Sequence, residues 1–231
     1  MADTAEDIGV LYRWPATAAF GRTVSKTKFH EHGNVRTALR EKFVADIQRI
    51  TWAYKLADTT MRLHGTASVP EIQIFAIETK GGDVTADVLT AIDRSVHFPI
   101  IFEVTDGKRV RTVAAHKALG GSAPRLGPYF TTQWLPIDAT RRPLPTTLDL
   151  PSLYEAILVS LLPIETRPGE TVSDATGRME RVRKLRREIV SLEKQLRAEL
   201  QLNRKIEIRR QIKERTQVLT ELTDPAPSDR G

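Results

Sequence analysis

Apolar and polar positions alternate most cleanly over Glu71 to Lys80, EIQIFAIETK. Strand side chains point to opposite faces in turn. Ile72, Ile74, Ala76, Glu78 and Lys80 then share one face, and Glu71, Gln73, Phe75, Ile77 and Thr79 the other. Around this strand the pattern predicts an α+β body with a mixed sheet and flanking helices. Val35, Leu39, Phe43, Ile47 and Ile50 recur at spacings of three and four, which predicts a helix from a cap at Asn34 to Ile50. Trp52, Tyr54 and Leu56 alternate and predict a strand over Ile50 to Leu56, followed by a turn-rich connection over 58–69. After Gly81-Gly82, Asp83 is the expected cap of a helix ending near Ser95, with Val84, Val88, Leu89 and Ile92 inward. The continuous apolar run Pro99 to Val104 reads as a strand buried on both faces. Asp106-Gly107 signals a hairpin returning through Arg109 to Ala115. A loop over 117–128, a short strand from Tyr129 to Leu135, a proline-rich connector over 136–151 and a helix from Leu153 to Leu162 complete the body. Residues 1–33 read as loosely structured, anchored by Leu11, Tyr12, Trp14, Phe20 and Phe29.

The pattern changes character after residue 162. Residues 163–177 are polar and turn-forming and read as a linker. Val182, Leu185, Ile189, Leu192 and Leu196 then mark a coiled-coil seam. Ile208, Ile212, Leu219 and Leu222 continue it, with Arg215 at the remaining position, and the halves are out of phase near Leu200 to Ile206. Either one helix carries a discontinuity there or the chain folds back as a hairpin. No Gly or Pro marks a turn, which favours one helix of roughly 65 Å over 178–222. Residues 223–231 read as a disordered tail. The exposed seam of such a helix requires cover from its own body, a second copy or another protein.

Charge sharpens this division. Between Arg178 and Leu222 there are 14 Lys/Arg against 7 Asp/Glu. The chain as a whole has 35 and 29, so 21 and 22 remain elsewhere, and all of the net charge of +6 lies on the C-terminal segment. A basic appendage on a neutral body points to a polyanion or an acidic partner. Arg181, Arg186, Arg187, Lys194, Arg204, Arg209 and Arg210 are the candidate phosphate contacts; the alternative is that they flank the seam and pair with Glu188, Glu193, Glu199 and Glu207. The absence of cysteine excludes disulfides, thiolate metal sites and thiol nucleophiles. No apolar run approaches the ~18 residues of a membrane span, and the acidic N-terminus, MADTAEDIGV, is unlike a signal peptide. A soluble cytoplasmic protein is expected.

Few motifs for chemistry are present. There is no Walker-type loop and no Gly-x-Ser-x-Gly setting. His30 and His32 in KTKFHEH have a metal-compatible spacing, with a local polar loop the preferred reading, and His97 reads as packed or exposed beside a buried strand. Glu78 and Lys80, side by side at the end of the central strand, can hold a divalent metal and a phosphate or pair with each other.

KTKFHEH, WAYKLADTT (Trp52 to Thr60), EIQIFAIETK, AIDRSVHFPIIFEV (Ala91 to Val104) and LQLNRKIEI (Leu200 to Ile208) together resemble a bacterial and archaeal domain family of unassigned function. Its genes lie beside ATP-dependent helicases and DNA methyltransferases in restriction-like, anti-phage loci. The chain departs from that family over 21–29, where a more hydrophobic or proline-containing stretch is usual. The resemblance implies an accessory subunit of a DNA-targeting defence system, without cofactor. Its expected partners are a helicase or methyltransferase, DNA, and a coiled-coil partner or second copy. The element order also resembles the core of restriction-endonuclease-like nucleases. There a carboxylate pair holds Mg²⁺, which activates water, while a lysine assists. Glu78 and Lys80 match the last motif, Glu78 as metal ligand, with Glu41 or Asp46 assisting from the first helix. A second acid is needed on the preceding strand, but Asp58 lies past its end and Glu71 faces away from Glu78. The non-catalytic reading is therefore preferred, on charge asymmetry and the unpartnered seam; a Mg²⁺-dependent nuclease is the alternative.

Overall fold

The computed structural model describes residues 10–31, 37–119, 124–163 and 166–224. Contacts divide the chain into two units, 1–163 and 164–231. The first unit is a mixed sheet with flanking helices. It runs β1 (Ala19–Thr23), α1 (Lys28–Glu31), α2 (Thr37–Asp46), β2 (Ile47–Ala57), α3 (Asp58–Met61), β3 (Glu71–Thr79), α4 (Ala86–Ser95), β4 (Ile100–Thr105), β5 (Arg109–Ala118), β6 (Arg125–Thr131), β7 (Leu135–Pro136) and α5 (Leu150–Val159). Strand order follows chain order from β1 to β6, and β7 pairs with β5. Among the described strands only β3 and β4 pair in parallel. A parallel pair needs a crossover, and α4 supplies it.

β3 is central, and burial extends over both of its faces. Phe75 and Ile77 join Phe43 of α2, Val88, Leu89 and Ile92 of α4, and Phe102 and Val104 of β4 in one apolar cluster. The alternate row, Ile72 and Ile74, is fully buried as well. α5 packs against β3 and β5. It is capped by Asp149, which accepts from Ser152 N–H at 2.8 Å.

Several local expectations are corrected. The helix predicted to reach Ile50 ends at Asp46, and Ile47 and Ile50 are buried from β2 instead. Their spacing fits both periods, and pairing with β3 decides. The Asn34 cap, Val35 and His32 lie outside the described residues, as does the chain beyond residue 224. Asp83 does not cap α4; Thr85 holds that position, and Asp83 pairs with Arg111 of β5 at 2.5 Å. β5 extends to Ala118 and β6 begins at Arg125, both inside the predicted loop over 117–128, and β6 ends at Thr131, earlier than the alternation suggested. The Asp106-Gly107 turn forms as expected, with Gly107 at φ 87° and Asp106 accepting from Lys108 and Arg109 N–H.

The second unit contains α6 (Val172–Ala198) and α7 (Leu202–Thr223). The favoured single long helix is overturned: the chain breaks at 199–201, and the two helices pack on each other. α6 begins at Val172, inside the stretch read as linker, because Thr171 and Asp174 form a reciprocal capping box. The reversal uses neither Gly nor Pro. Glu199 turns the chain, its carboxylate accepting from Leu200 and Gln201 N–H at 2.9 Å each. Those bonds hold its pKa below the usual carboxylate range. The base is clamped by Arg178, bonded to Glu170 at 2.7 and 2.8 Å and to the Leu222 carbonyl. Arg215, the polar seam residue, pairs with Glu188 at 2.9 Å. Val182, Leu185, Ile189, Leu192, Ile208, Ile212 and Leu219 remain only half-buried. Among the described residues no helix is long and apolar enough to cross a membrane.

Candidate functional site

β3 delivers Glu78 to the end of the sheet, and Lys80 lies just beyond it. They do not pair. The antiparallel register sets Arg49 of β2 opposite Glu78, and its guanidinium donates to Glu78 Oε1, with Nε at 2.9 Å. Lys80 Nζ donates to the Val44 carbonyl at 2.7 Å, and its backbone N–H to the Asp46 carbonyl at 2.9 Å. Lys80 thus closes the C-terminal turn of α2, where free carbonyls attract a cation. Lys26 donates to the Ile47 carbonyl close by. Burial, and secondarily the Lys80 ammonium, pull its pKa below the ordinary lysine value.

This arrangement leaves Glu78 without a carboxylate partner. The neighbouring-strand position that a metal-binding pair would use is filled by Arg49. Glu41 is exposed on α2. Asp58 faces His64 at 3.3 Å, and Glu71 pairs with Lys55 at 2.9 Å. Among the described residues no three His, Asp or Glu side chains gather where they could hold a metal ion. Mg²⁺ needs hard oxygen ligands, and a single carboxylate facing a guanidinium does not fit it.

Two further charged groups escaped the sequence reading. Lys117 and Asp93 are 2% and 1% exposed and form an ion pair at 2.5 Å. Lys117 Nζ also donates to the carbonyls of Asp93, Val96 and Phe98 at 2.7 to 2.9 Å, so it caps α4. Tyr129 donates to Asp93 Oδ2 at 2.9 Å. Burial pushes the Asp93 carboxyl up and the Lys117 ammonium down, and each opposite charge pulls back. Arg141 grips Glu103 through two bonds and donates to the Tyr12 carbonyl, while Trp14 Nε1 donates to Glu103 at 2.7 Å. This clasp fastens the N-terminal segment and the proline-rich connector to β4. A lysine inside TVAAHKAL and a glutamate inside IIFEV, both in apolar strand runs, were the available signals.

On the hairpin, Arg181, Arg186, Arg187, Lys194 and Arg209 are exposed and form no ion pair among the described residues. Arg204 lies 3.9 Å from Glu199, and Arg210 pairs with Glu207 and Glu214. The expected neutralisation therefore reaches Arg210 and, weakly, Arg204, and leaves the other five available. The Arg210 contacts hold Glu207 down to about 2.

Two of the body's cavities are lined by described residues. One, about 430 Å³, is lined by Thr23 to Thr27, Arg40, Val44 and Gln48 to Ile50. The other, about 710 Å³, lies between β1, β2, β3, α1 and the turn after α4. Its walls include Phe20, Trp52, Phe75 and Phe98 together with Arg22, Lys28 and His97.

No curated protein and no solved structure matches the chain. One family does match, over residues 13–219, and it is described as a domain of unknown function, DUF4391. That match spans both the sheet and nearly all of the hairpin, and the chain belongs to this family.

Proposed function

We propose that the protein is a non-catalytic interaction subunit that holds the phosphate backbone of DNA on its basic hairpin. The observation that carries this reading is that Arg181, Arg186, Arg187, Lys194 and Arg209 are exposed and have no carboxylate partner among the described residues. Such cations give salt-dependent affinity with little sequence preference. The half-buried seam supports a further protein contact, since two helices alone leave much of each apolar stripe open. The family resemblance suggests that the protein partner is a helicase or DNA methyltransferase of a cytoplasmic, restriction-like defence system.

A second reading is favoured by element order alone. The succession α2, β2, β3, α4 and β4, with Glu78 and Lys80 at the end of β3, is the arrangement a restriction-endonuclease-like core uses. Arg49 opposite Glu78 favours an inactive version of it.

Both readings meet in one assay. Full-length protein is mixed with labelled duplex DNA, with Mg²⁺ or with EDTA, over a salt series. Retention without cleavage is expected. The Arg181→Glu/Arg186→Glu/Arg187→Glu variant should bind at least roughly tenfold more weakly. Unchanged retention in that variant would remove the hairpin from the reading. Metal-dependent cleavage abolished by Glu78→Ala/Lys80→Ala would make the protein a nuclease.

A further inference from the structure

Beyond duplex contacts on the hairpin, the geometry points to a separate single-stranded nucleic-acid site on the body, in the larger cavity. We infer that it takes an unpaired base, with the flanking phosphates running into the smaller cavity beside it.

The argument starts from the sheet. β1, β2 and β3 each contribute one ring to the same wall, Phe20, Trp52 and Phe75. Trp52 lies 4.1 Å from Phe20 between ring centres and is nearly parallel to Phe75, 10° between planes. Phe98 adds a fourth ring from the turn after α4. Phe20, Trp52 and Phe98 are half-buried, and half-buried rings accept any base through its π-face, while Phe75, 2% exposed, backs Trp52 from the core. The space, about 710 Å³, falls within the ~300–1,000 Å³ of small-ligand sites.

Charge then narrows the ligand. Arg22, Lys28 and His97 reach the cavity from three different elements, and among the described residues no Asp or Glu lines it. The Arg22 guanidinium lies 4.7 Å from the Phe20 ring centre, so positive charge and π-surface meet at one spot. An uncharged aromatic ligand would leave those cations idle. A base attached to phosphate uses both.

The neighbouring cavity favours a strand over a free nucleotide. The two spaces share Thr23 and Val24 as a common wall. Among the described residues no aromatic ring lines the smaller one, but it has Lys26, Arg40 and Arg49 and the hydroxyls of Ser25 and Thr27. Lys26 and Arg49 each retain a protein partner, while Arg40 has no ion-pair partner among the described residues and is exposed. An aromatic pocket followed by a cationic, hydroxyl-lined one matches the alternation of base and backbone in a single strand. A paired base shows only its edges and cannot enter.

The test uses the full chain carrying the three hairpin charge reversals, so that the hairpin contributes little. Binding of a labelled dT oligomer of about twelve nucleotides, within the span of one small binding domain, is read by anisotropy beside duplex DNA of equal length and free TMP. The oligomer should bind most tightly. Arg22→Ala/Lys28→Ala, both exposed positions, should weaken it by roughly tenfold without changing the melting temperature or duplex binding. Ultraviolet cross-linking of an iodouridine-substituted oligomer should label the peptides carrying Phe20 or Trp52. Equal loss of oligomer and duplex binding in the double variant, TMP binding as tight as the oligomer, or cross-links confined to the hairpin would each overturn the proposal. Any of those outcomes leaves the hairpin reading standing, because its own assay uses duplex DNA and the hairpin variant.

Discussion

The body and the hairpin both carry many cations, and they treat them differently. In the body, tertiary packing brings a carboxylate to each of several strand or connector cations, by strand register for Arg49 and from turns, a helix or a neighbouring strand for the others. Arg49 meets Glu78, Arg111 meets Asp83, Lys117 meets Asp93 and Arg141 meets Glu103, each from a distant part of the chain. On the hairpin, charge pairing falls at the base and the seam, through Arg178 and Arg215, and at one exposed position of α7, Arg210. Arg181, Arg186, Arg187, Lys194 and Arg209 are exposed and have no carboxylate partner among the described residues. A sheet therefore uses its charges to fix its own register and attachments. A two-helix hairpin has too few faces to do so, and it leaves a basic surface for something else.

The sharpest way to break this comparison is to remove Lys117. Lys117→Met leaves Asp93 buried without its counter-charge and uncaps α4. It should cost about 3–5 kcal/mol, read by chemical denaturation of the full chain. Adding Asp93→Asn should recover part of that loss, because the orphaned charge is gone. A cost near zero would mean that the body's pairs do not hold the fold.

A smaller effect is expected at the hairpin base. The Arg178 guanidinium holds the Glu170 carboxyl down to about 2, from an ordinary value of 4.5. Because the folded value is depressed, the stabilisation is fully present above pH 4.5 and is lost as pH falls toward 2. Charge-assisted bonds of this kind contribute about 1.5–3 kcal/mol. Thermal melting at stepped pH should show an acid-dependent loss in the wild type that Glu170→Gln lacks. Identical profiles would show that the clamp contributes nothing to the hairpin.

The smallest effect is expected at the residues that first drew attention. Arg49 is more than half exposed, and exposed pairs contribute about 0–1 kcal/mol. Glu78→Gln should shift the denaturation midpoint only slightly. A loss of several kcal/mol would place this pair with Lys117–Asp93 and erase the distinction between surface and core charges within the body.

Much of the body was legible because its apolar rows are uninterrupted. β3, the buried β4 strand, the Asp106-Gly107 turn and α5 all announced themselves in pattern or turn chemistry. The helix end at Asp46 did not, since Ile47 and Ile50 satisfy a helical spacing as well as a strand's. The candidate site was legible as a pair of residue types, Glu78 and Lys80, and illegible as an arrangement. Nothing in EIQIFAIETK says that Arg49 will lie across from Glu78, or that Lys80 will turn to the end of α2. The aromatic and cationic cavity was also hidden, because Phe20, Trp52, Phe75 and His97 are far apart in the chain.

The sequence by itself determined the α+β composition of the body, the break in character after residue 162, and the concentration of positive charge beyond it. These are sums or short periods along the chain, and they survive any folding of it. Tertiary structure decided which carboxylate meets which cation, whether the basic segment is one helix or two, and which rings share a wall. Those depend on strand register and on a turn made by one glutamate, Glu199, where residues distant in sequence come within a few ångströms.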